Sequence, residues 1–450
     1  MSKNPHNLSN IRKITFASFI GSLLEWYDFF LYGTAAALVF NKLFFPNIDP
    51  VIGVVASFGT FAVGFVSRPI GGIIFGHFGD KIGRKKVLIT TLMIMGVGTF
   101  LIGALPTYDS IGIWAPIILI TLRFAQGLGL GGEYAGAALI VIEHAPRKQR
   151  GLWSGFAQSA ASAGLLLSTG TFALLTLLPE EQFMSWGWRI PFLASIIMLA
   201  VGMFIRLSIA ETPSFQKVKE TKTEARIPFF ELLRTYPKSL LLAFGARLGE
   251  TVSSNIFNAF AIAYVGTYLG LSKTIALNGV LLGSAIAIIF MPIFGKLSDR
   301  IGRRRVYMVG PAFLIVFSYP FFWMLNTKVP ALIYLAVILG LVFGTMLMFS
   351  VQAVYFAEMF GTRVRYSGIS VAYQLSSIIG GITPLVATSL LPASGTPWAI
   401  AGILMVIGVI SLVSTYLSPE TFKKDVSEKE DEIVAVDGPD QLNPELRESL

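Results

Sequence analysis

The chain contains no cysteine, which excludes disulfides and thiol chemistry and leaves the compartment undecided. Its only histidines are His6, His77 and His144, all outside or at the ends of apolar runs, so a proton carried through a membrane has to travel on carboxylates. No buried His or Cys, no metal-ligand spacing and no motor motif is present to support an enzyme, a metal site or a cofactor. Charge is sparse, since Asp, Glu, Lys and Arg make up 14% of the 450 residues. Two stretches rich in glycine and basic residues invite a phosphate-binding reading. No Gly-Lys-Ser/Thr follows either of them and no strand precedes, which argues against it.

What fills the chain instead is apolar: 54% of residues are hydrophobic and the mean hydropathy is +0.68. A spanning helix needs about 20 mostly apolar residues to cross roughly 30 Å of hydrocarbon. About twelve such runs can be placed, near 15–40, 52–76, 87–106, 112–142, 153–178, 188–208, 239–268, 275–295, 306–326, 330–357, 366–391 and 397–417. Their unbroken apolar character excludes barrel strands, which are about ten residues long and alternate polar with apolar. The fold class is therefore all-α and polytopic. The first run is too long for a signal-peptide core and lacks a small-residue cleavage site, so it reads as a retained span.

The net charge of +9 does not point to nucleic acid once its distribution is examined. With the N-terminus placed inside, 28 of the 35 Lys and Arg residues fall on inner loops and tails. Lys42, Arg189, Lys273 and Lys328 fall outside, and Arg68, Arg123 and Arg247 lie within spans. Basic residues are retained on the cytoplasmic side during insertion, so the chain is expected as a multi-pass cell-membrane protein with both termini cytoplasmic and a lipid bilayer as its surroundings.

The chain also repeats itself. Gly76-His77-Phe78-Gly79-Asp80-Lys81-Ile82-Gly83-Arg84-Lys85-Lys86 recurs as Gly295-Lys296-Leu297-Ser298-Asp299-Arg300-Ile301-Gly302-Arg303-Arg304-Arg305. Leu207-Ser208-Ile209-Ala210-Glu211-Thr212-Pro213 after the sixth span echoes Leu417-Ser418-Pro419-Glu420-Thr421 after the twelfth. Glu143 precedes Arg150 by the same interval as Glu358 precedes Arg365. Three echoes in one order indicate a six-plus-six duplication. The expected organisation is an N-tail over 1–14, a first half over 15–208, a cytoplasmic polar connection over 209–238, a second half over 239–417 and an acidic, disordered tail over 418–450.

Twelve spans in two halves, with a Gly-x-x-x-Asp-(Arg/Lys)-x-Gly-Arg-(Arg/Lys) loop after the second and eighth, resemble the major facilitator superfamily over residues 15–422. The run Arg123-Phe124-Ala125-Gln126-Gly127-Leu128-Gly129-Leu130-Gly131-Gly132 is similar to its second motif. Glu25-Trp26-Tyr27-Asp28-Phe29 and Arg68-Pro69-Ile70-Gly71-Gly72 narrow the resemblance to the metabolite:proton symporters, which carry shikimate-like acids, oxoglutarate, citrate, and proline or betaine. The resemblance implies a secondary transporter working by alternating access, with spans 1, 4, 7 and 10 around a central cavity. Its partners would be a small-molecule substrate and protons, it would function as a monomer, and the proton gradient would replace any cofactor.

A charge at the bilayer centre costs on the order of 3 kcal/mol on insertion scales and should face protein or a wet cavity. Asp28, Glu25 and Glu133 are accordingly the candidates for proton coupling. Asp28 and Arg123 stand at comparable depth by chain counting, which allows a contact between them; a static packing pair is the plainer alternative. Candidates for substrate binding are Arg123, Gln126, Tyr27 and Tyr32 in the first half. Arg247, Glu250, Asn255, Gln352, Tyr355 and Gln374 are the candidates in the second, with Asn258, Tyr264 and Tyr373 as further possibilities. Arg247 and Glu250 would equally well satisfy one another. The arginines favour an acid, and the cation-π faces of Trp26, Tyr27 and Tyr32 would suit a zwitterion. Gly127 and Gly131 remove side chains from one helix face and favour close packing. For the duplicated loops, the expected cytoplasmic gate comprises Gly76, Asp80, Gly83, Arg84 and Glu143 with Asp299, Gly302, Arg303 and Glu358. There a carboxylate meets an arginine or the positive end of a helix.

Overall fold

The computed structural model describes residues 5–82, 84–131, 134–208, 232, 234–360 and 365–422. Among these residues there is no strand. Twelve helical spans follow in order. In the first half they are α1 (Pro5–Ala35, continued through Ala36–Phe40 and Asn41–Phe44), α2 (Pro50–Ile82), α3 (Arg84–Ala104), α4 (Trp114–Leu130 and Tyr134–His144), α5 (Arg150–Leu175) and α6 (Ile190–Ser208). In the second half they are α7 (Pro237–Asn255, continued to Tyr268), α8 (Lys273–Ile301), α9 (Arg303–Asn326), α10 (Pro330–Leu341, Val342–Met346 and Leu347–Met359), α11 (Arg365–Ser394) and α12 (Trp398–Leu417). An even number of crossings returns the chain to the side on which it began, so Pro5 and Phe422 share one face, the terminal side; the opposite face is the distal side.

Eight of these helices are long and apolar enough to cross a membrane, and Ile89–Ala104 and Trp114–Leu130 are shorter apolar helices. The other two, α5 and α7, are less apolar for a physical reason. The polar side chains of Ser154, Gln158 and Ser162 on α5, and of Arg247, Glu250 and Asn255 on α7, are buried. These helices face protein on most sides, so they need less apolar surface than a lipid-facing span. Each half packs internally, α1 against α5 and α2 against α4 in the first, α7 against α11 and α9 against α12 in the second; the halves meet along α5 with α8 and α2 with α11.

Two boundaries differ from the sequence expectation. The first helix starts at Pro5 rather than near residue 15, because its polar first turns extend beyond the apolar run and Ile11 is already buried there. Residues 418–422 belong to the folded body instead of the tail, since Ser418 and Glu420 accept from Arg304 and Arg303 at the start of α9 and Thr421 donates to Glu358 at the end of α10. The remaining tail (423–450) and nearly all of the polar connection (209–231) lie outside the described residues.

Gly127 and Gly131 set the distance between α4 and α2. A Cβ on Gly127 would collide with Ser67 Oγ and the Gly64 carbonyl, and one on Gly131 with the Arg68 carbonyl and the Gly72 nitrogen. Three spans are also interrupted by π-helical turns, at Ala36–Phe40 in α1, Ile256–Phe260 and Tyr264–Tyr268 in α7, and Val342–Met346 in α10. Such turns break the i→i−4 ladder and release carbonyls for other donors.

Candidate functional site

On the terminal side the second-half loop forms a closed cluster. Gly302 adopts φ 110°, a conformation that favours glycine, and turns α8 into α9. Arg303 is thereby placed between two carboxylates: Nη1 lies 2.6 Å from Asp299 Oδ1, and Nε lies 3.3 Å from Glu358 Oε2. Nη1 also donates to Ser298 Oγ at 2.8 Å. Asp299 reaches across to the other half, where both its oxygens accept from the backbone of α5, Gly151 N at 2.8 Å and Leu152 N at 2.8 Å. A carboxylate on two unpaired N–H groups at a helix start satisfies orphan donors and complements the helix dipole. Gly151 and Gly295 allow the approach, since a Cβ on either would strike the other helix's backbone.

The chain end completes this cluster. Glu420 Oε1 accepts from the Arg303 nitrogen at 2.8 Å and so caps α9, while Thr421 Oγ1 donates to Glu358 Oε2 at 2.8 Å. Tyr355, a substrate-binding candidate by sequence, belongs here instead: its hydroxyl donates to the Pro419 carbonyl at 3.4 Å. In the first-half copy, Gly76, Asp80 and Arg84 are placed in helices but their side chains lie outside the described residues, as does Gly83 altogether. Glu143 is exposed near the end of α4.

Within the first half, and reached from the second by Tyr373 of α11, lies a narrow cavity lined by Glu25, Trp26 and Phe29 of α1, Arg68 of α2, Tyr134 of α4 and Gln158 of α5 among others. Its wall is aromatic and crosses the halves: the rings of Tyr134 and Tyr373 stack at 3.7 Å between centroids. Gln158 Nε2 donates to the Tyr134 hydroxyl at 2.7 Å, and Gln374 Nε2 of α11 donates to the Gly131 carbonyl of α4 at 2.8 Å. Arg68 lies between the rings of Phe29 and Phe65, 4.6 and 4.4 Å from their centroids.

The other sequence candidates sort around this cavity. Asp28 does not pair directly with Arg123, which corrects the contact inferred from depth. Arg123 Nη1 donates to Gln126 Oε1 at 3.3 Å, Gln126 Nε2 donates to Thr99 Oγ1 at 2.8 Å, and Asp28 lies within reach of Thr99. The guanidinium of Arg123 faces the Tyr32 ring at 4.3 Å instead. Depth counting fixes height along a helix but not azimuth, and here the aromatic rings occupy the azimuth. Asp28 and Glu25 share a small second cavity with Leu24, Leu92 and Met95, and Glu25 lines the central one as well.

The hydroxyls of Tyr27 and Tyr32 are used within the first half, donating to the Pro191 carbonyl at 3.0 Å and Thr60 Oγ1 at 2.7 Å. Neither tyrosine is among the residues that line the cavity. Arg247 Nε lies 3.5 Å from Glu250 Oε2, and Nη1 donates to the Tyr373 carbonyl, Ser376 Oγ and Ser377 Oγ at 2.7, 2.6 and 3.0 Å. Asn255 donates to the Thr251 carbonyl on its own helix, Tyr264 to Asn326, and Gln352 accepts from Tyr307. Asn258 is buried. Glu133 lies outside the described residues.

On the distal side the halves also touch. Lys273 Nζ, at the start of α8, donates to the Ala37 and Leu38 carbonyls at 3.3 and 2.9 Å, both within the π-turn of α1. Lys42 pairs with Glu180 at 2.7 Å on the exposed rim, and the Lys42 hydrogen bond holds the Glu180 carboxyl below the usual range. Lys273, Gln158, Ser298 and Glu420 were not singled out by sequence as site residues. Only Glu420 carried a signal, through its place in the repeated Ser…Glu-Thr echo.

Against known proteins, the sequence profile described as Major Facilitator Superfamily matches residues 18–384 and, in an overlapping second match, 240–446. The chain is 41% identical to the shikimate transporter of Escherichia coli (strain K12) over 416 residues, covering 91% of this chain and 95% of that one. It is 37% identical to the proline/betaine transporter of the same strain over 429 residues, covering 91% and 84%. Among solved structures, a D-xylose-proton symporter superposes with a TM-score of 0.70 at 18% identity, covering 92% of this chain and 99% of that one. The partially occluded, inward-open xylose transporter from E. coli superposes with a TM-score of 0.71 at 18% identity, over 93% and 100% of the two chains.

Proposed function

The chain belongs to the major facilitator superfamily, and from that premise we propose that it is a proton-coupled symporter taking up a small organic acid by alternating access. It is a multi-pass membrane transporter of the bacterial inner-membrane type and not an enzyme. In the proposed scheme it works as a monomer, both termini are cytoplasmic, and the proton gradient is the driving force with no cofactor.

The observation that carries this reading is the cavity of the first half, touched by Tyr373 of the second, which presents one carboxylate, Glu25, and one guanidinium, Arg68, inside aromatic walls. Both charges are costly in a low-dielectric site unless each has a complement. With Glu25 ionised, the charges of Glu25 and Arg68 cancel in the empty cavity, although the two form no ion pair with each other. With Glu25 protonated, a substrate carboxylate takes over that balance, so each crossing moves a site with no added net charge. Proton and acid then travel together because neither alone leaves the cavity balanced. Asp28, joined to Glu25 through the second small cavity, supplies a neighbouring carboxylate through which the proton is exchanged.

Alternation is provided by contacts on either side of the cavity. The Asp299–Arg303–Glu358 cluster holds α5 to α8 on the terminal side, and Lys273 holds α8 to α1 on the distal side. Opening one side breaks a small set of charge-assisted bonds, each worth about 1.5–3 kcal/mol, a magnitude that substrate binding can offset.

A zwitterion such as proline or betaine is the second reading, favoured by the ring faces of Trp26, Phe29, Tyr134 and Tyr373 beside Glu25. Uptake into proteoliposomes with an imposed pH gradient, acidic outside, tests the proposal with labelled shikimate, proline and betaine in parallel. Accumulation of one of them above equilibrium, abolished by a protonophore, is the expected result. Uptake that is indifferent to the gradient would overturn proton symport, and uptake of betaine alone would select the second reading.

A further inference from the structure

Three arginines lie inside spans, and the structure sorts them by what they have left to offer. The Arg247 guanidinium is engaged by Glu250, by the Tyr373 carbonyl and by the Ser376 and Ser377 hydroxyls. Arg123 is enclosed by Tyr32, Phe61 and Phe29 with Gln126 as its hydrogen-bond partner, and is absent from the cavity wall. Arg68 differs from both. It is 4% exposed, it forms no ion pair among the described residues, and of the three it alone lines the cavity; a buried Nε without a hydrogen-bond partner is common to all three, and Arg123 Nη2 is unpartnered as well.

A packing role alone does not account for this. The slot between Phe29 and Phe65 would be filled as well by a Leu or Met, which carry no desolvation cost, and buried charges are commonly replaceable by apolar groups without loss of stability. The two rings contribute a cation-π attraction that holds the guanidinium plane through its faces and so does not consume its edge donors, of which Nε has no hydrogen-bond partner. A planar fork of N–H donors, rigidly held and facing a cavity, matches the two oxygens of a carboxylate in shape as well as charge.

Resting on the organic-acid symport reading above, we infer that Arg68 is the carboxylate anchor of the substrate site: a bidentate clamp supplied by α2 and aimed by Phe29 and Phe65. The substrate body then lies against the Tyr134–Tyr373 stack, which one residue from each half contributes. Occupancy is thereby felt by both halves at once. The ligand class is a small molecule with one free carboxylate and a hydroxylated or otherwise compact polar body. Specificity for the rest of the molecule falls to Gln158, Tyr134 and Trp26 on the same wall.

The test is equilibrium binding of labelled shikimate, proline and betaine to the purified full chain, each competed by its own methyl ester. It is run on wild type, Arg68→Gln and Arg68→Lys. Expected is binding of at least one acid by wild type, competition by its ester at least about 30-fold weaker, a loss of about 30-fold or more in Arg68→Gln, and partial recovery in Arg68→Lys, as follows for one charge-assisted bidentate contact. A measurement on wild type alone covers the case of a variant that does not fold. The bound acid should protect Arg68, but not Arg123 or Arg247, from p-hydroxyphenylglyoxal as read by peptide mass spectrometry. Unchanged affinity in Arg68→Gln, or no protection of Arg68, overturns the anchor while leaving acid symport standing. Binding of no probe by wild type, or ester competition equal to that of the acid, overturns the carboxylate reading itself and the anchor with it.

Discussion

Replacing Asp299 by Asn removes one charge from the contact that joins the halves on the terminal side and leaves the side-chain shape nearly unchanged. The wild-type carboxylate accepts from Gly151 N and Leu152 N at 2.8 Å each and from Arg303 Nη1 at 2.6 Å. An Asn offers one acceptor oxygen for these donors and points an NH2 group at another donor. Losing charge assistance in such bonds costs about 1.5–3 kcal/mol, and losing the negative charge at the start of α5 removes about 0.3–1 kcal/mol more. A net loss of about 2–3 kcal/mol shifts the balance between terminal-side closed and open forms by about 30- to 150-fold.

Because the chain has no cysteine, a single introduced thiol reports without background. Ser154, 2% exposed on α5 close to this contact, is suited to Ser154→Cys. When opening is fast relative to labelling, the maleimide rate follows the open population. Labelling should accelerate by at least about 30-fold in Asp299→Asn, within that range. A rate equal to that of the parent would refute the idea that this carboxylate holds the halves together.

The remaining predictions concern other contacts. Lys273→Met removes both hydrogen bonds to the π-turn of α1 and should raise thiol labelling at Ala259→Cys on the distal side by about 10-fold or more; no change would deny Lys273 a closing role. Glu25→Gln should keep substrate exchange between equal pools while losing gradient-driven accumulation, and intact accumulation in it with loss in Asp28→Asn would transfer the proton to Asp28. Gly127→Ala drives a methyl into Ser67 and the Gly64 carbonyl, so it should cost about 1–3 kcal/mol and lower the thermal midpoint in detergent. A midpoint equal to wild type would mean that α2 and α4 are not close-packed there.

Much of the fold was legible because the bilayer imposes a length and a composition on every lipid-facing span. The apolar signal was weaker where a helix faces protein, as in α5 and α7, whose buried serines and charged residues lower their apolarity, yet the sequence places both spans within about three residues of their observed ends. The repeated Asp and Arg of the duplicated loop drew notice to the residues that meet at the α5–α8 contact in the second half, and the Ser…Glu-Thr echo pointed to Glu420 without disclosing that it caps α9. Azimuth was not legible. Asp28, Tyr27 and Tyr32 stand within two turns of Glu25, yet only Glu25 reaches the central cavity, since each residue turns by about 100° about the helix axis. The π-turns that create carbonyl partners for Lys273 left no pattern to read, because they depend on packing between helices and not on a local residue preference.

Proton coupling is the central claim, and substrate-driven proton movement tests it most directly. Proteoliposomes containing the chain and an entrapped pH dye, with no imposed pH gradient or potential, are given a saturating inward gradient of whichever acid wild type binds. The account predicts acidification of the lumen that tracks acid entry and disappears in Glu25→Gln. Acid entry with no change in internal pH would contradict it.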